Sequence, residues 1–409
     1  MSDAEAARSL LSAATVRERA HEVLAAGLAD TLSHFTVDLA RLPAAADFVA
    51  RVIRENYPSL EVPFHARWRH FVVGGRDLWA ERAAATRWPN VAARARAEFD
   101  LAIVSVLLDA GAGMAWRYRD AATGTEIDRS EGLALASLRM FEAGAFSSNA
   151  NDPLRADAAR LASLTADDIA RGFQVTRDNP LVGLEGRAAL LARLGTAVAA
   201  SATVFARADA ARPGGLYDQL AGEAHGVLPA PRILAALLEN LGAIWPGRLT
   251  LGGLSLGDTW RHPAIRRPDA TDGLVPFHKL SQWLSYSLIE PLQWSGIEVT
   301  DIDGLTGLAE YRNGGLFLDA GVIALRDPAE AQRPNAVDSA LVVEWRALTI
   351  ALLDRLAPLV RERLGVTAEA FPLARVLEGG TWAAGRRLAR DKRADGGPPI
   401  AVKSDGTVF

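Results

Sequence analysis

The sequence predicts a mainly α protein with a few short strands, and three observations lead to this fold class. Apolar residues recur at helical spacing over residues 15–32 and again over residues 337–363, where they form one face of an amphipathic helix. Residues 92–118 are apolar on nearly every side, which is typical of a single buried helix. We therefore expect helices to supply most of the core.

Shorter segments extend this helical pattern. Further helices are predicted from Pro43, over 130–143, from Thr165, over 188–211, over 228–241, from Pro276 and over 373–390. Gly144 is the expected C-cap of the helix over 130–143, and Thr165 with Asp168 is the expected N-cap pair of the next. The segments predicted to be irregular are a loop at 212–226, short strands or loop at 247–272, and a strand-like tail with a turn at 404–406.

Composition describes an ordinary globular chain and excludes several classes of protein. Of the 409 residues, 49% are hydrophobic and 23% are charged, so we expect one helical catalytic unit over 1–409, with two lobes at about 1–245 and 246–409 as the alternative. A net charge of −4 argues against a nucleic-acid-coating protein, although a local basic cluster could still hold a small phosphorylated ligand. The absence of cysteine excludes disulfides, thiolate nucleophiles and cysteine metal sites.

The sequence is expected to carry neither a secretory signal nor a membrane-spanning run. The first residues form a mixed-charge helical stretch without the apolar run of a secretory signal, and no run is long enough to span a bilayer. We expect a cytoplasmic protein that does not bind membranes. The sequence also lacks the glycine-rich nucleotide-binding, zinc-protease and serine-hydrolase motifs.

Residues 61–75 combine basic and aromatic side chains. The chemistry-bearing residues of this segment are His65, Arg67, Trp68, Arg69 and His70. Guanidinium groups bind phosphate oxygens in pairs and aromatic rings stack on ligands, so the segment suits a phosphate or sugar. If it is extended, His65, Arg67 and Arg69 share one face. The alternatives are a surface edge strand and a metal site, although the histidine spacing fits no standard metal signature.

Asp109 lies inside the apolar run over 92–118, beside Gly111 and Gly113. A buried carboxylate must be paired, protonated or used in chemistry. The simpler alternative is that Asp109 accepts hydrogen bonds at a helix end.

Residues 300–319 contain four acidic side chains, namely Asp301, Asp303, Glu310 and Asp319. Tyr311 and Arg312 follow Glu310, and Gly314 and Gly315 then interrupt the apolar pattern. Acids, an arginine and a glycine pair between hydrophobic segments indicate a pocket wall whose carboxylates do acid, base or cation-stabilising work. The alternative is an acidic loop that leads into a helix N-terminus. Lys279, in the first turn of another predicted helix, is a candidate anion ligand.

Two stretches resemble a known family. The sequence VPFHARWRHF around residue 65 and the C-terminal PPIAVKSDGTVF are similar to the helical uracil-catabolism (Urc/Urg-type) family of fungi and bacteria, long catalogued as a domain of unknown function. The resemblance implies a route in which uracil becomes a nucleotide, a cyclohydrolase-like enzyme opens the ring, and ribosylurea or its phosphate is left. An enzyme must then release urea from the sugar.

A more distant resemblance indicates that step. Ala309, Glu310, Tyr311 and Arg312 match an Ala-Asp-Tyr-Arg motif of the queuosine-phosphate glycosidase family, and the segments at 107–116, 275–284 and 377–382 are also similar. This likeness implies a helical DNA-glycosylase-like fold and metal-free hydrolysis of an N-glycosidic bond in a nucleoside 5′-phosphate. Glu310 replaces the family's aspartate, and Gly379, Gly380 and Ala383 replace larger or acidic residues, which favours a smaller leaving group such as urea.

The resemblance implies roles for individual residues. Glu310 and Asp109 are the expected catalytic carboxylates. The expected substrate-binding residues are His65, Arg67, His70, Lys279, Asp301, Asp303, Tyr311, Arg312 and Trp382. We expect no cofactor, a nucleoside or ribosyl phosphate as the small-molecule partner, and no nucleic acid; a metal remains open. The alternatives are a metal-dependent amidohydrolase acting on an opened pyrimidine ring and a non-enzymatic protein that binds a pyrimidine metabolite.

Overall fold

The computed structural model describes residues 2–245 and 248–403, and it confirms a mainly helical fold with only short strands. The helices are α1 Asp3–Leu10, α2 Ala13–Leu28, α3 Leu42–Asn56, α4 Leu78–Ala85, α5 Val91–Leu107, α6 Arg129–Glu142, α7 Ala158–Ala162, α8 Ala166–Gly172, α9 Leu184–Ala200, α10 Ala202–Phe205, α11 Gly215–Ala224, α12 Ala230–Leu241, α13 Lys279–Trp294, α14 Tyr311–Asp319, α15 Ala340–Leu364, α16 Leu373–Val376 and α17 Trp382–Lys392. A π-helical turn, Leu377–Thr381, joins α16 to α17.

The strands occur in pairs rather than in a large sheet. They are β1 Phe35–Val37, β2 Val72–Val73, β3 Arg76–Asp77, β4 Tyr118–Asp120, β5 Thr125–Ile127, β6 Val227–Pro229, β7 Thr250–Leu251, β8 Leu254–Ser255, β9 Thr259–Arg261, β10 Leu274–Pro276, β11 Glu298–Thr300, β12 Ile323–Leu325, β13 Asn335–Ala336 and β14 Val402–Lys403. The pairs β1–β12, β6–β11 and β13–β14 connect distant parts of the chain, the first antiparallel and the other two parallel. The predicted tail strand is thus present at β14, while the predicted turn at 404–406 lies outside the described residues.

Helix α15 runs through the centre of the core. It packs against α2, α3 and α14, and every residue from Leu341 to Leu353 is buried. The predicted amphipathic pattern is therefore wrong for residues 341–353, which are buried on all sides, whereas residues 354–364 keep one exposed face. One buried apolar cluster extends from Ala13 to Ile400 and includes residues on both sides of position 245. The division into two lobes stays a prediction.

Several predicted helix ends are confirmed by their hydrogen bonds. Thr165 and Asp168 form a reciprocal capping box at the start of α8. Gly144 adopts a left-handed φ of +72° just past α6, where an L side chain would be strained. Three segments differ from the prediction: α5 stops at Leu107 instead of running to 118, residues 215–224 form α11 instead of a loop, and residues 67–71 form a 3₁₀ turn instead of a strand.

Every helix among the described residues is too short or too polar to cross a lipid bilayer.

Glu290 on α13 is a buried carboxyl that should make stability depend on pH. One of its oxygens accepts a hydrogen bond from Arg69 at 2.9 Å, and the other has no partner among the described residues. Burial raises the pKa of Glu290 from 4.5 to about 7, against the lowering effect of Arg69. Between pH 4.5 and 7 the carboxyl is protonated in the folded state and ionised in the unfolded chain. The free energy of unfolding therefore falls as pH rises through this window.

We expect Glu290→Gln to remove this dependence. As pH rises from 4.5 to 7, the free energy of unfolding of the wild type should fall by about 3 kcal/mol relative to the variant, at about 1.4 kcal/mol per pKa unit. Urea unfolding of both proteins across this range measures the difference. Parallel pH curves for the two proteins would show that Glu290 keeps the same charge in both states.

Candidate active site

A cavity of about 230 Å³ lies where the first residues of three helices converge. Helices α6, α13 and α14 each begin at its wall, and the loop after α5, the 65–71 turn and the start of α17 complete it. Helix N-termini carry partial positive charge and unpaired N–H groups, so their convergence favours an anionic ligand.

The cavity brings together most of the predicted site residues. Those that line it are His65, His70, Asp109, Lys279, Glu310, Tyr311, Arg312 and Trp382. Arg67, Asp301 and Asp303 do not line it. The two interpretations of residues 300–319 both hold for Glu310, which caps a helix and also faces the cavity.

Asp301 and Asp303 have structural positions away from the cavity. Asp303 accepts hydrogen bonds from Arg361 at 2.5 Å and from the Leu373 amide at 2.6 Å. Asp301 is exposed and begins the 3₁₀ turn Ile302–Gly304 with a left-handed φ of +48°. The chain reaches the cavity only at Leu308. Asp301 and Asp303 are close to Glu310 in sequence, but they do not lie at the cavity.

Arg67 is buried behind the cavity lining and contacts residues that line it. The 3₁₀ turn puts residues three apart on the same side, so Arg67 and His70 lie together rather than on opposite faces. Arg67 is 0% exposed and donates to Asp109 at 3.0 Å, to the Ser105 hydroxyl at 2.6 Å and to His70 Nδ1 at 3.2 Å. The predicted phosphate-binding role is therefore wrong for Arg67, because its guanidinium is enclosed by protein and holds Asp109 and His70 in place.

Asp109 lies just beyond the end of α5, in a segment that contains Gly111 and Gly113. Gly113 has a φ of +86°, and Arg187 donates to the Leu108 and Ala110 carbonyls at 3.0 and 2.7 Å. Arg187 thus satisfies carbonyl groups that the helix end leaves unpaired. Together, Arg187 and Arg67 fix the backbone and the carboxylate of Asp109.

Glu310 is the N-cap of α14. Its two carboxylate oxygens accept hydrogen bonds from the Arg312 and Asn313 amides at 3.0 and 2.6 Å. The glycines that interrupt the apolar pattern here allow close packing: a Cβ on Gly314 would lie 2.6 Å from the Trp345 ring nitrogen. Helix α14 can therefore sit against α15, and Glu310 is oriented by backbone rather than by another side chain.

Lys279 begins α13 and faces both carboxylates. Its amide donates to Asp258 at 3.0 Å, and Asp258 is itself paired with Arg346. Burial lowers the pKa of Lys279, while Glu310 and Asp109 act against that shift. These three side chains form the carboxylate end of the cavity, which we define as Asp109, Glu310 and Lys279.

Two imidazoles lie between Trp283 and Trp382. The His65 ring centroid is 6.2 and 6.1 Å from these two rings, and the His70 centroid is 5.7 and 6.3 Å from them. His65 Nδ1 is 2.6 Å from the Glu378 carboxylate on the π-helical turn. Burial, together with the positive charge of Arg67, keeps the pKa of His70 well below its ordinary value, so His70 is neutral near pH 7.

The cavity lining also has a cationic part. We define this arginine end as Arg129, Arg312 and Arg386; the first two line both the main cavity and a smaller adjoining one that Arg386 also lines. The Arg312 and Arg386 guanidiniums lie 4.1 and 4.2 Å from the centroid of the Trp382 ring. Arg386 donates to Glu131 at 2.9 Å, whereas Arg312 has no carboxylate within ion-pair distance in the described parts of the chain.

Glu131 is an anion beside the arginine end. Burial alone would raise its pKa, but positive charge outweighs burial and holds that pKa at about 2; the charge comes from His70 when its ring is protonated and from Arg386, which also donates a hydrogen bond. Because Glu131 neutralises Arg386 and Asp128 lies 3.9 Å from Arg129, Arg312 is the member of the arginine end that is left among the described residues to meet a ligand anion.

Some cavity residues were missed by the sequence prediction. They are Trp283, Arg129, Met114, Ser130, the supporting Glu378 and residues 396–398. Trp283 is one helical turn from Lys279, and Glu378 is four residues before Trp382, so helical spacing from predicted residues could have found both. Arg129 and residues 396–398 are brought to the cavity by the path of the chain, and the sequence around them has no pattern that predicts this.

The arrangement suits a small polar ligand with an anionic group. Carboxylates, an ammonium group, guanidiniums and aromatic rings all line it. Within residues 2–245 and 248–403, no three His, Asp or Glu side chains are grouped so that they could hold a metal ion.

Comparison with known proteins gives a family. A family model described as "Protein of unknown function (DUF1688)" matches residues 9–409. The protein urg3 of Schizosaccharomyces pombe is 39% identical over 417 residues, which is 99% of both chains. Uracil catabolism protein 4 of Lachancea kluyveri is 37% identical over 412 residues, or 92% of each chain. These matches confirm the resemblance to uracil-catabolism proteins, and the chain belongs to the DUF1688 family.

Proposed function

We propose that this protein acts in uracil degradation and hydrolyses the N-glycosidic bond of ribosylurea 5′-phosphate, releasing urea and ribose 5-phosphate. The observation behind the proposal is the set of charged groups that line one cavity. Two carboxylates, Asp109 and Glu310, line it together with the buried Arg312, which has no carboxylate within ion-pair distance among the described residues. When the glycosidic bond of a ribosyl phosphate breaks, C1′ becomes cationic and can be stabilised by a carboxylate. The phosphate group of the same substrate can be bound by a guanidinium.

The relatives support the metabolic setting. One is named a uracil catabolism protein, and both align with this chain over 92% or more of its length. The ribosylurea substrate goes beyond those names and rests on the cavity and on the resemblance to N-glycosidases.

The carboxylate end fits the charge that develops during the reaction. Breaking the bond between C1′ and nitrogen gives the sugar oxocarbenium character, which a nearby anion stabilises. Glu310 is suited to this role, because two backbone N–H groups hold its carboxylate in one orientation. Asp109 accepts one hydrogen bond, from Arg67, and its other oxygen can take a proton from the attacking water.

The size of the cavity supports a small leaving group. Its volume of about 230 Å³ is below the roughly 300–1,000 Å³ that is usual for sites that enclose drug-sized ligands. The glycines at 379 and 380 do not contribute to this selectivity as expected. Cβ atoms on them would lie 2.9 Å from Val62 and 2.7 Å from Val49, so these glycines serve packing against the segment around α3.

The first test is urea production from ribosylurea 5′-phosphate, with and without a chelator. Urea that appears in proportion to protein and is insensitive to chelator supports the proposal. Ammonia in place of urea would instead support an amidohydrolase, and thermal stabilisation by the substrate without turnover would support a binding protein.

Arg312→Met should separate phosphate recognition from chemistry. Loss of one charged hydrogen-bonding group costs about 1.5–3 kcal/mol, so we expect the KM for ribosylurea 5′-phosphate to rise about 10- to 100-fold. The KM for unphosphorylated ribosylurea should stay unchanged. Steady-state assays with both substrates make the comparison, and Arg76→Met, an exposed arginine paired with Glu81, is the control. An equal rise for both substrates would show that Arg312 does not bind phosphate.

A further inference from the structure

A buried histidine–carboxylate pair lies at the cavity and takes no part in the steps above. His65 is 5% exposed and lines the cavity, and its Nδ1 is 2.6 Å from Glu378. The His65 amide also donates to the Ala374 carbonyl at 3.0 Å, which joins the segment to α16. In the described part of the chain, no lysine or arginine lies within ion-pair distance of Glu378, so His65 is the basic side chain that contacts it.

The hydrogen bonds give the two cavity imidazoles opposite roles. Glu378 can only accept, so Nδ1 of His65 carries a hydrogen and Nε2 is the nitrogen left for a ligand. His70 Nδ1 accepts from Arg67, so the hydrogen of the neutral His70 ring is on Nε2. His65 can therefore become an imidazolium beside a carboxylate, whereas Arg67 opposes a second charge on His70.

We propose that His65 is the general acid that protonates the leaving urea, and that Glu378 positions its imidazolium. This inference rests on the proposed N-glycosidase function. The C1′–N bond breaks with its electron pair going to nitrogen, and the proton on His65 Nε2 moves to the urea. Water adds to C1′ and gives one proton to Asp109. Asp109 then loses that proton and His65 gains one, so the sum is the addition of one water molecule.

Other acidic groups of the cavity are less suited to this transfer. Burial raises the pKa of Tyr311, although Arg312 acts against that shift, so its phenol gives up a proton reluctantly. Lys279 interacts with Glu310 and Asp109, the two carboxylates assigned to the cationic sugar and to the attacking water, rather than with the leaving group. His65 instead lies beside Trp283 and Trp382 in the aromatic part of the lining, and Glu378 holds its Nδ1.

The test compares two leaving groups. Urea needs a proton to leave, whereas 4-nitrophenolate does not, so ribosylurea 5′-phosphate and 4-nitrophenyl ribofuranoside 5-phosphate report differently on a general acid. We expect His65→Asn to lower kcat for urea release by about 10²- to 10⁴-fold and to change nitrophenolate release by less than about 10-fold. Glu378→Gln still accepts from Nδ1 but lacks the charge, so it should show the same selective loss to a smaller degree, with KM unchanged.

Each result bears on the assignment. If His65→Asn slows both substrates equally, His65 has a structural role and the assignment is wrong. If Lys279→Met, rather than His65→Asn, shows the selective loss, Lys279 is the acid. Should His65→Asn fail to fold, His65→Gln and Glu378→Gln provide the same comparison. A wild-type protein that releases nitrophenolate but no urea would contradict the proposed substrate, and with it the need for this acid.

Discussion

Glu310→Gln is expected to lower urea release from ribosylurea 5′-phosphate by at least about 10³-fold. Removing one preorganised group that stabilises developing charge costs about 10²- to 10³-fold in other enzymes, and Glu310 carries a full charge. Glutamine keeps the length of the side chain and one of the two cap hydrogen bonds. We therefore expect a folded protein, less stable by about 1 kcal/mol, with a reduced kcat measured in the urea assay.

Asp77→Asn is the matched control for this variant. Asp77 is the N-cap of α4 and accepts from the Ala80 amide at 2.9 Å, but it does not line the cavity. The substitution Asp77→Asn removes a capping carboxylate and leaves the cavity unchanged. Turnover should therefore equal that of the wild type. Turnover of Glu310→Gln within 10-fold of the wild type would remove Glu310 from the mechanism.

Arg67→Met is expected to reduce the free energy of unfolding by about 3–5 kcal/mol. Arg67 is fully buried and pairs with Asp109, whose side chain is 5% exposed. Removing one partner of a buried ion pair leaves an uncompensated charge, which is the costly case. Denaturant unfolding of the purified variant measures the loss.

The double variant Arg67→Met/Asp109→Asn distinguishes the ion pair from simple packing. Without the carboxylate there is no unpaired charge, so we expect the double variant to be more stable than Arg67→Met alone. Arg76→Met, which breaks an exposed pair, should be indistinguishable from the wild type. A double variant as unstable as the sum of the two single variants would show that Arg67 does not stabilise through Asp109.

The sequence was sufficient to predict the helical class and the cavity residues that carry distinctive local patterns. Glu310, Tyr311 and Arg312 are adjacent in sequence, and α14 presents them together at its first turn. Asp109 stood out because a carboxylate in an apolar run requires a partner. In each case the local sequence limits where the side chain can be.

Predictions failed where the answer depends on distant parts of the chain. Arg67 was expected to meet a ligand, but Ser105 and Asp109, about 40 residues away, enclose it. Asp303 was expected at the site, but Arg361 from α15 binds it elsewhere. The end of α5 was not predicted because it depends on a distant residue. Arg187 on α9 donates hydrogen bonds to the Leu108 and Ala110 carbonyls just beyond the helix.

The measurement that tests the central claim most directly is a ¹³C NMR time course with ribosylurea 5′-phosphate labelled at C1′. N-glycosidic hydrolysis replaces the bond from C1′ to nitrogen with a bond to oxygen. The account predicts that the label moves from the signal of a nitrogen-bonded carbon to the anomeric signals of ribose 5-phosphate, with one urea formed per sugar. A label that stays bonded to nitrogen while ammonia accumulates would contradict it, because the reaction would then occur at the urea carbonyl.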